Sequence, residues 1–266
     1  VKSAVIIGGG YIGLEVAASL QKMGLEVSVV EMADRLLARV ASPPVAQLLN
    51  DLHAEHGVSI YTGVGVDKII DSDGKFTGVT LANGTDLSGE MLIVGIGVIP
   101  DSELAQQAGV ETERPDGGAI LVNSSMQTSN PNIIAIGDVA LQRGHSLRIE
   151  SVHNAQDTAA RAAAGLMNET LPIDQAPWFW SDQYDANLQS VGIVPTGDKD
   201  IYQVTRLGEK KTSVSFWSYR DQDLIAVEAV RDSKDFMLGK KCLENNFSPD
   251  PNLICNPDYD PNSDMS

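Results

Sequence analysis

Cysteine is scarce in this chain: only Cys242 and Cys255 occur, near the end and with twelve residues between them. No C-x-x-C pair or metal-ligand cluster can be assembled from that spacing. The four histidines (His53, His56, His145, His153) show no ligand pattern either. His53 and His56 fall three apart on an expected helix, yet no third ligand sits nearby, so no structural metal is expected. Positive charge is also short. Lys and Arg number 19 against 36 Asp and Glu, a net charge of −17, which argues against nucleic acid and against anionic membrane surfaces as partners. The excess acid reads most simply as solubility or adaptation to salty surroundings, with a cationic partner as the alternative. No apolar run approaches the ~20 residues of a membrane helix, and no signal peptide heads the chain. A cytoplasmic location is the default expectation. Catalytic triads, paired carboxylates and a nucleophile elbow are missing as well. The chain opens on Val1, almost directly on a core strand, and is expected to be a piece of a longer protein.

What is present is a glycine fingerprint. Residues 5–13 read Val-Ile-Ile-Gly-Gly-Gly-Tyr-Ile-Gly, with Gly8, Gly10 and Gly13 fitting G-x-G-x-x-G between an apolar strand (Ala4 to Ile7) and a helical stretch (Leu14 to Met23). That setting makes the motif far stronger than the glycines alone. Gly8 makes the tight turn, Gly10 lets backbone approach a pyrophosphate, and Gly13 lets helix and strand pack closely. The diphosphate then meets free amides at a helix N-terminus, where the dipole favours negative charge. The next strand, Glu26 to Val30, ends on Glu31, roughly 20 residues past the glycines, where an acid binds ribose hydroxyls and repels a 2′-phosphate. NADH is therefore expected over NADPH. Arg35 and Arg39 follow closely and pull the other way, unless they are solvated cations at the adenine rim.

At 266 residues, 42% apolar and 21% charged, the chain suits a globular protein with a substantial core. To about Val110 it reads as a nucleotide-binding α/β unit. Pro43-Pro44 lead into a helix from Val45 to about His56, and Val58 to Tyr61 is a third strand. Turn signals at Asp73-Gly74 and Asn83-Gly84 predict hairpins (Val66–Asp71, Phe76–Leu81) in place of a crossover helix. Met91 to Ile96 is an apolar strand ending in Gly95-Ile96-Gly97, followed by a short helix at Glu103–Ala108. Ala119 to Val122 and Ile133 to Ile136 are expected strands, the second buried and ending at Gly137-Asp138. Asn154 to Met167 is an alanine-rich helix. From about Ala176 the pattern turns β-rich, with strands at Ser190–Val194, Ile201–Thr205, Thr212–Trp217 and Leu224–Val230, then a helix from Ser233 to Asn245. The stretch from Phe247 reads as an irregular or disordered tail.

Taken together, five stretches resemble the FAD-dependent, NADH-consuming ferredoxin reductases of the putidaredoxin reductase and rubredoxin reductase type. They are 8–15 (Gly-Gly-Gly-Tyr-Ile-Gly-Leu-Glu), 95–100 (Gly-Ile-Gly-Val-Ile-Pro), 135–138 (Ala-Ile-Gly-Asp), 148–152 (Arg-Ile-Glu-Ser-Val) and 177–184 (Pro-Trp-Phe-Trp-Ser-Asp-Gln-Tyr). The first and third mark the wider flavoprotein superfamily; the last two point to the ferredoxin branch. The resemblance implies an α/β fold with a Rossmann-like NAD-binding domain inserted in an FAD-binding domain, here incomplete, followed by an α+β C-terminal domain. The implied division is 1–110 for NAD(H), 111–175 for the second FAD segment, 176–246 for the C-terminal reductase domain and 247–266 for the tail. A first FAD segment is absent from that layout, so the fragment is expected to bind FAD poorly and to be inactive alone.

The resemblance also implies roles. Gly8, Gly10, Tyr11, Ile12, Gly13, Glu15, Glu31, Arg39 and Gly97 would bind NAD, Glu15 reaching the nicotinamide carboxamide; its alternative is a helix-start carboxylate favoured by the dipole. Gly137, Asp138, Ser151, Val152 and Trp180 would bind FAD. Asp138 would hold a ribityl hydroxyl, or else merely cap the next turn. Ser151 and Val152 would face the flavin pyrimidine ring at a helix N-terminus, His153 would be a plain loop residue, and Trp178 would be core. The implied activity is electron transfer from NADH through FAD to a small iron–sulfur protein, a 2Fe-2S ferredoxin or a rubredoxin, serving an oxygenase. Two other readings stay open: a thiol-disulfide reductase whose cysteine pair lies in the absent segment, and a nucleotide-binding remnant without turnover.

Overall fold

A central parallel strand must be apolar on both faces, and Ser3–Ile7 (β1) meets that demand, with Ala4, Val5 and Ile6 buried. The computed structural model describes residues 1–114, 117–145, 147–194, 196 and 200–265. These form two compact units, 1–97 with 180–266, and 98–179.

In the first unit β1 is followed by α1 (Tyr11–Lys22), β2 (Glu26–Val30), α2 (Pro43–Glu55) and β3 (Ser59–Tyr61). Then come β4 (Val66–Ser72), β5 (Lys75–Leu81), β6 (Asp86–Ser88) and β7 (Met91–Val94). The strands β3-β2-β1-β7 pair in parallel in that order. β4, β5 and β6 form the antiparallel meander predicted from the hairpin signals. Its first turn works because Asp73 and Gly74 both adopt positive φ, 54° and 74°, as the favoured two-residue hairpin turn requires.

The second unit holds α3 (Glu103–Gln107), β8 (Thr112–Arg114), β9 (Gly117–Val122), β10 (Ala140–Gln142) and α4 (Val152–Met167), with sheet order β10-β9-β8. The expected strand at Ile133 to Ile136 does not form. Only Ile134 bridges, to Gln127, and the chain enters a 3-10 turn at Gly137–Val139. Side-chain turns outcompete the ladder there: Asn123 accepts from the amides of Ser125 and Gln127, and Asn130 from that of Asn132. His153, expected in a loop, lies on α4.

The first unit resumes within β11 (Trp178–Gln183), which the sequence does not predict as a strand, and continues with β12 (Ala186–Gly192), β13 (Ile201–Leu207), β14 (Val214–Arg220), β15 (Asp223–Val230), α5 (Ser233–Glu244) and α6 (Pro251–Ile254). The sheet runs β11-β12-β15-β14-β13. β12 starts four residues before the predicted Ser190. Asn187 and Gln189 are half-buried between the buried Ala186, Leu188 and Ser190, and those polar side chains hide the strand from a hydrophobicity reading. Ala186, Leu188, Phe216 and Val230 share one core cluster with Ile6, Leu14, Val29 and Leu49, so this sheet and the parallel sheet bury a common interior.

The final stretch, expected to be irregular or disordered, has little regular structure and is tied down by hydrogen bonds. The buried Arg206 guanidinium donates to the carbonyls of Ile254, Asn256, Pro257 and Tyr259 at 2.8–3.1 Å. Its Nε also pairs with Asp235 at 3.2 Å. A planar fork can serve several acceptors at once, whereas an ammonium cannot reach them all. Arg206→Lys should therefore lower stability by about 1–2 kcal/mol and expose residues 247–265 to protease. Unchanged limited-proteolysis kinetics in this variant would remove Arg206 as the anchor.

Candidate functional site

The glycine turn sits at the carboxyl ends of β1, β2 and β7, where open α/β sheets bind ligands. Its residues differ in what a side chain would meet. At Gly8, with φ +110°, a Cβ would lie 2.3 Å from the Gly95 carbonyl oxygen, and at Gly13 it would lie 2.0 Å from that of Gly8. At Gly10 nothing lies within 4 Å. Two positions are closed by protein and one opens onto free space. Gly10 is also the N-cap of α1 and offers no side-chain cap, so the first amides of that helix lack intrahelical acceptors. An anionic diphosphate fits this cradle.

The second glycine, Gly9, was given no role by the sequence pattern and turns out to be constrained. A Cβ there would meet the Leu36 side chain at 2.5 Å and Glu31 Cβ at 3.1 Å. Its amide donates to Glu31 Oε2 at 2.7 Å, while Ala33 N donates to Oε1 at 2.8 Å. Glu31 is thus oriented by two backbone donors at the end of β2, with lone pairs left over for a ribose. Arg35 is spent on its own turn, donating to the carbonyls of Leu36, Leu37 and Ala38. Arg39 brings its Nη2 to 3.6 Å from the Cβ position of Gly97, which places it beside the turn after β7. Ile12 is exposed on the rim.

Two expected contacts look different in three dimensions. The Tyr11 phenol packs against the core and is held well above its usual pKa, first by burial and then by the nearby Glu228 carboxylate. What Tyr11 can present to a ligand is its backbone. Glu15 is the fifth residue of α1, whose first turn carries no acid, so the dipole explanation loses its basis. Instead Glu15 Oε1 accepts a 2.6 Å hydrogen bond from Ser181 Oγ of β11. Nothing in the sequence pairs these two residues.

In the second unit the Gly-Asp turn and the start of α4 come together. Gly137, at φ +70°, donates its amide to Thr158 Oγ1 at 2.9 Å, and Arg148 donates to the Asp138 carbonyl. The Asp138 carboxylate is exposed and accepts no hydrogen bond among the described residues. Ser151 is the N-cap of α4, its hydroxyl accepting from Asn154 N at 3.1 Å, and Val152 stands half open at the helix start. A free carboxylate beside a capped helix N-terminus is a donor-and-acceptor set that suits a polyol chain with a flavin ring. Thr158 is the missed residue here; a lone hydroxyl within an alanine-rich helix was the available signal. The Trp178 and His153 rings meet in a tilted arrangement with centroids 5.2 Å apart, and Trp180, on β11 in the first unit, is 44% exposed.

Residues 1–159 match the family described as pyridine nucleotide-disulphide oxidoreductase, and residues 178–263 match the domain described as reductase C-terminal. The chain is 40% identical to putidaredoxin reductase of Pseudomonas putida over 259 residues, covering 94% of this chain and 59% of that protein. The ferredoxin reductase for the CYP199A2 system from Rhodopseudomonas palustris superposes with TM-score 0.91 at 37% identity, over 100% of this chain and 65% of that one. A covalent putidaredoxin reductase–putidaredoxin complex superposes with TM-score 0.89 at 37% identity, over 96% and 61%. The chain thus spans about 60% of the length of the curated relatives it matches.

Proposed function

The chain belongs to the pyridine nucleotide-disulphide oxidoreductase family, and from that premise we propose that the whole protein passes electrons from NADH through FAD to a small iron–sulfur protein of an oxygenase system. The observation that carries the nucleotide half is the open position at Gly10 between the closed ones at Gly8 and Gly13. The acceptor half is supported by the reductase C-terminal match and by the relative found joined to putidaredoxin.

When bound, the flavin supplies the chemistry of accepting a hydride and releasing single electrons. This chain's residues bind and orient. The α1 amides after Gly10 hold the diphosphate, Glu31 accepts from the adenosine ribose, and Arg39 and Gly97 border the cleft opposite. Asp138 accepts from the ribityl chain, and the α4 N-terminus at Ser151 and Val152 favours negative charge on the ring. Trp180 is assigned to the flavin edge. In this assignment 1–110 serves NAD(H), 111–175 FAD and 176–246 the C-terminal domain. A cytoplasmic placement belongs to the same proposal; among the described residues no helix is long and apolar enough to cross a membrane.

NADH is preferred over NADPH because Glu31 is locked in place and Arg35 is occupied. Glu31→Arg should shift the NADH/NADPH ratio of kcat/KM by about tenfold or more toward NADPH, ~1.4 kcal/mol; an unchanged ratio removes Glu31 from the ribose site. The function itself is tested on the whole protein by following flavin absorbance as NADH, then a ferredoxin, is added. Bleaching followed by reoxidation is expected. Bleaching that no one-electron acceptor reverses would favour the disulfide-reductase alternative.

A further inference from the structure

Ser181 and Gln183 alternate with outward residues along β11 and share one face. Ser181 is 1% exposed, Gln183 and His53 are fully buried, and the three continue the contact to Glu15. Ser181 Oγ donates to Glu15 Oε1 at 2.6 Å, Gln183 Nε2 donates to Ser181 Oγ at 3.0 Å, and Gln183 Oε1 meets His53 Nε2 at 2.8 Å. Proton counting gives the direction. An ionised carboxylate only accepts, so the single Ser181 proton goes to Glu15. The hydroxyl must then receive from the Gln183 amide N–H, which leaves Gln183 Oε1 as an acceptor. His53 Nε2 therefore carries hydrogen. Every bond in the chain points toward Glu15, from α2 through β11 to α1. His53 is held below its usual pKa mainly by burial, so a neutral Nε2–H ring completes it without a buried charge.

Resting on the assignment of Glu15 to the nicotinamide carboxamide, we propose that Ser181, Gln183 and His53 are positioning residues for the nicotinamide. They fix one oxygen of Glu15 and leave Oε2, which takes no hydrogen bond from the described residues, to receive the carboxamide N–H. A glutamate on an exposed helix face samples several rotamers, and ordering one on binding costs affinity. The relay removes that cost beforehand. It also makes the orientation of the nicotinamide depend on the C-terminal sheet, although the diphosphate is held by the amino-terminal turn.

The test compares two ligands on the flavin-loaded whole protein by calorimetric titration: oxidised NAD⁺, and ADP-ribose, which lacks the nicotinamide. Ser181→Ala should weaken NAD⁺ about fivefold and leave ADP-ribose within twofold. Gln183→Met should act in the same sense. In a Glu15→Ala background Ser181→Ala should add nothing, because the acceptor is gone. Equal weakening of both ligands would show a merely structural role and overturn the proposal. Unchanged NAD⁺ affinity in Ser181→Ala and Gln183→Met, with Glu15→Ala still impaired for NAD⁺ alone, would overturn it while sparing the Glu15 assignment. If Glu15→Ala does not discriminate between the ligands, both fall.

Discussion

Gly10→Ala should keep the fold intact and destroy nucleotide binding. Gly10 adopts φ −80° and ψ 179°, a region open to any residue, and its new methyl would meet no protein atom within 4 Å. Folding stability should change by about 1 kcal/mol or less, the N-cap difference between glycine and alanine. The methyl would instead occupy the space where a diphosphate has to approach the backbone. NAD⁺ affinity should fall by about 100-fold or more, ~2.7 kcal/mol. Gly13→Ala is the contrasting case. Its methyl would sit 2.0 Å from the Gly8 carbonyl oxygen, backbone against backbone, so helix and turn must separate. There both the melting temperature and the affinity should drop. Thermal unfolding and titration on the two variants separate the cases; NAD⁺ bound normally by Gly10→Ala would place the nucleotide elsewhere.

The second large effect concerns Glu228, fully buried on β15. Its Oε1 accepts from Ser42 N at 3.1 Å. Burial raises its carboxyl to about 7, while hydrogen bonding from Ser42 and Gln203 and the charge of Arg35 pull it back down. A raised carboxyl pKa has a definite sign in stability. Below the ordinary glutamate value of 4.5 the group is protonated in both states and costs nothing. Between 4.5 and about 7 the unfolded chain ionises while the folded one keeps its proton, so stability is lost as pH rises. Above the folded value the loss levels at about 3 kcal/mol. Glu228→Gln keeps the shape and the acceptor to Ser42 but cannot ionise. It should match the parent near pH 4 and exceed it by about 2–3 kcal/mol at pH 8. Melting curves of the two proteins that stay parallel across this window would falsify the buried-acid account.

Much of the first unit is legible from the chain itself. The glycine fingerprint is local: the identity and spacing of residues 8–13 already specify turn, cap and close approach. The hairpins were readable because Asp73-Gly74 and Asn83-Gly84 carry turn chemistry that needs no distant partner. Glu31 was readable from its distance along the chain, though its two backbone donors were not. Illegible elements have two causes, one local and one tertiary. Ile133 to Ile136 has strand composition but lies between asparagine turns that win locally. β11 and the start of β12 have strand geometry but carry Trp, Ser, Asp, Gln and Asn, whose burial depends on the helices they face.

By itself, then, the order of residues determined a glycine turn between strand and helix, an acid at the carboxyl end of β2, the meander and an alanine-rich helix beside a Gly-Asp turn. These depend on backbone sterics and periodicity within a few residues. Tertiary structure alone decided that Glu15 answers to Ser181 rather than to the helix dipole, and that the Tyr11 ring belongs to the core. It also decided that Arg35 is spent on its own turn and that Arg206 binds the tail. The Tyr11 ring is placed by apolar packing and Arg35 by carbonyls one to three residues on; the other two are pairings of polar groups far apart in sequence, and a hydrogen bond acts only over a few ångströms of space, whatever the separation along the chain.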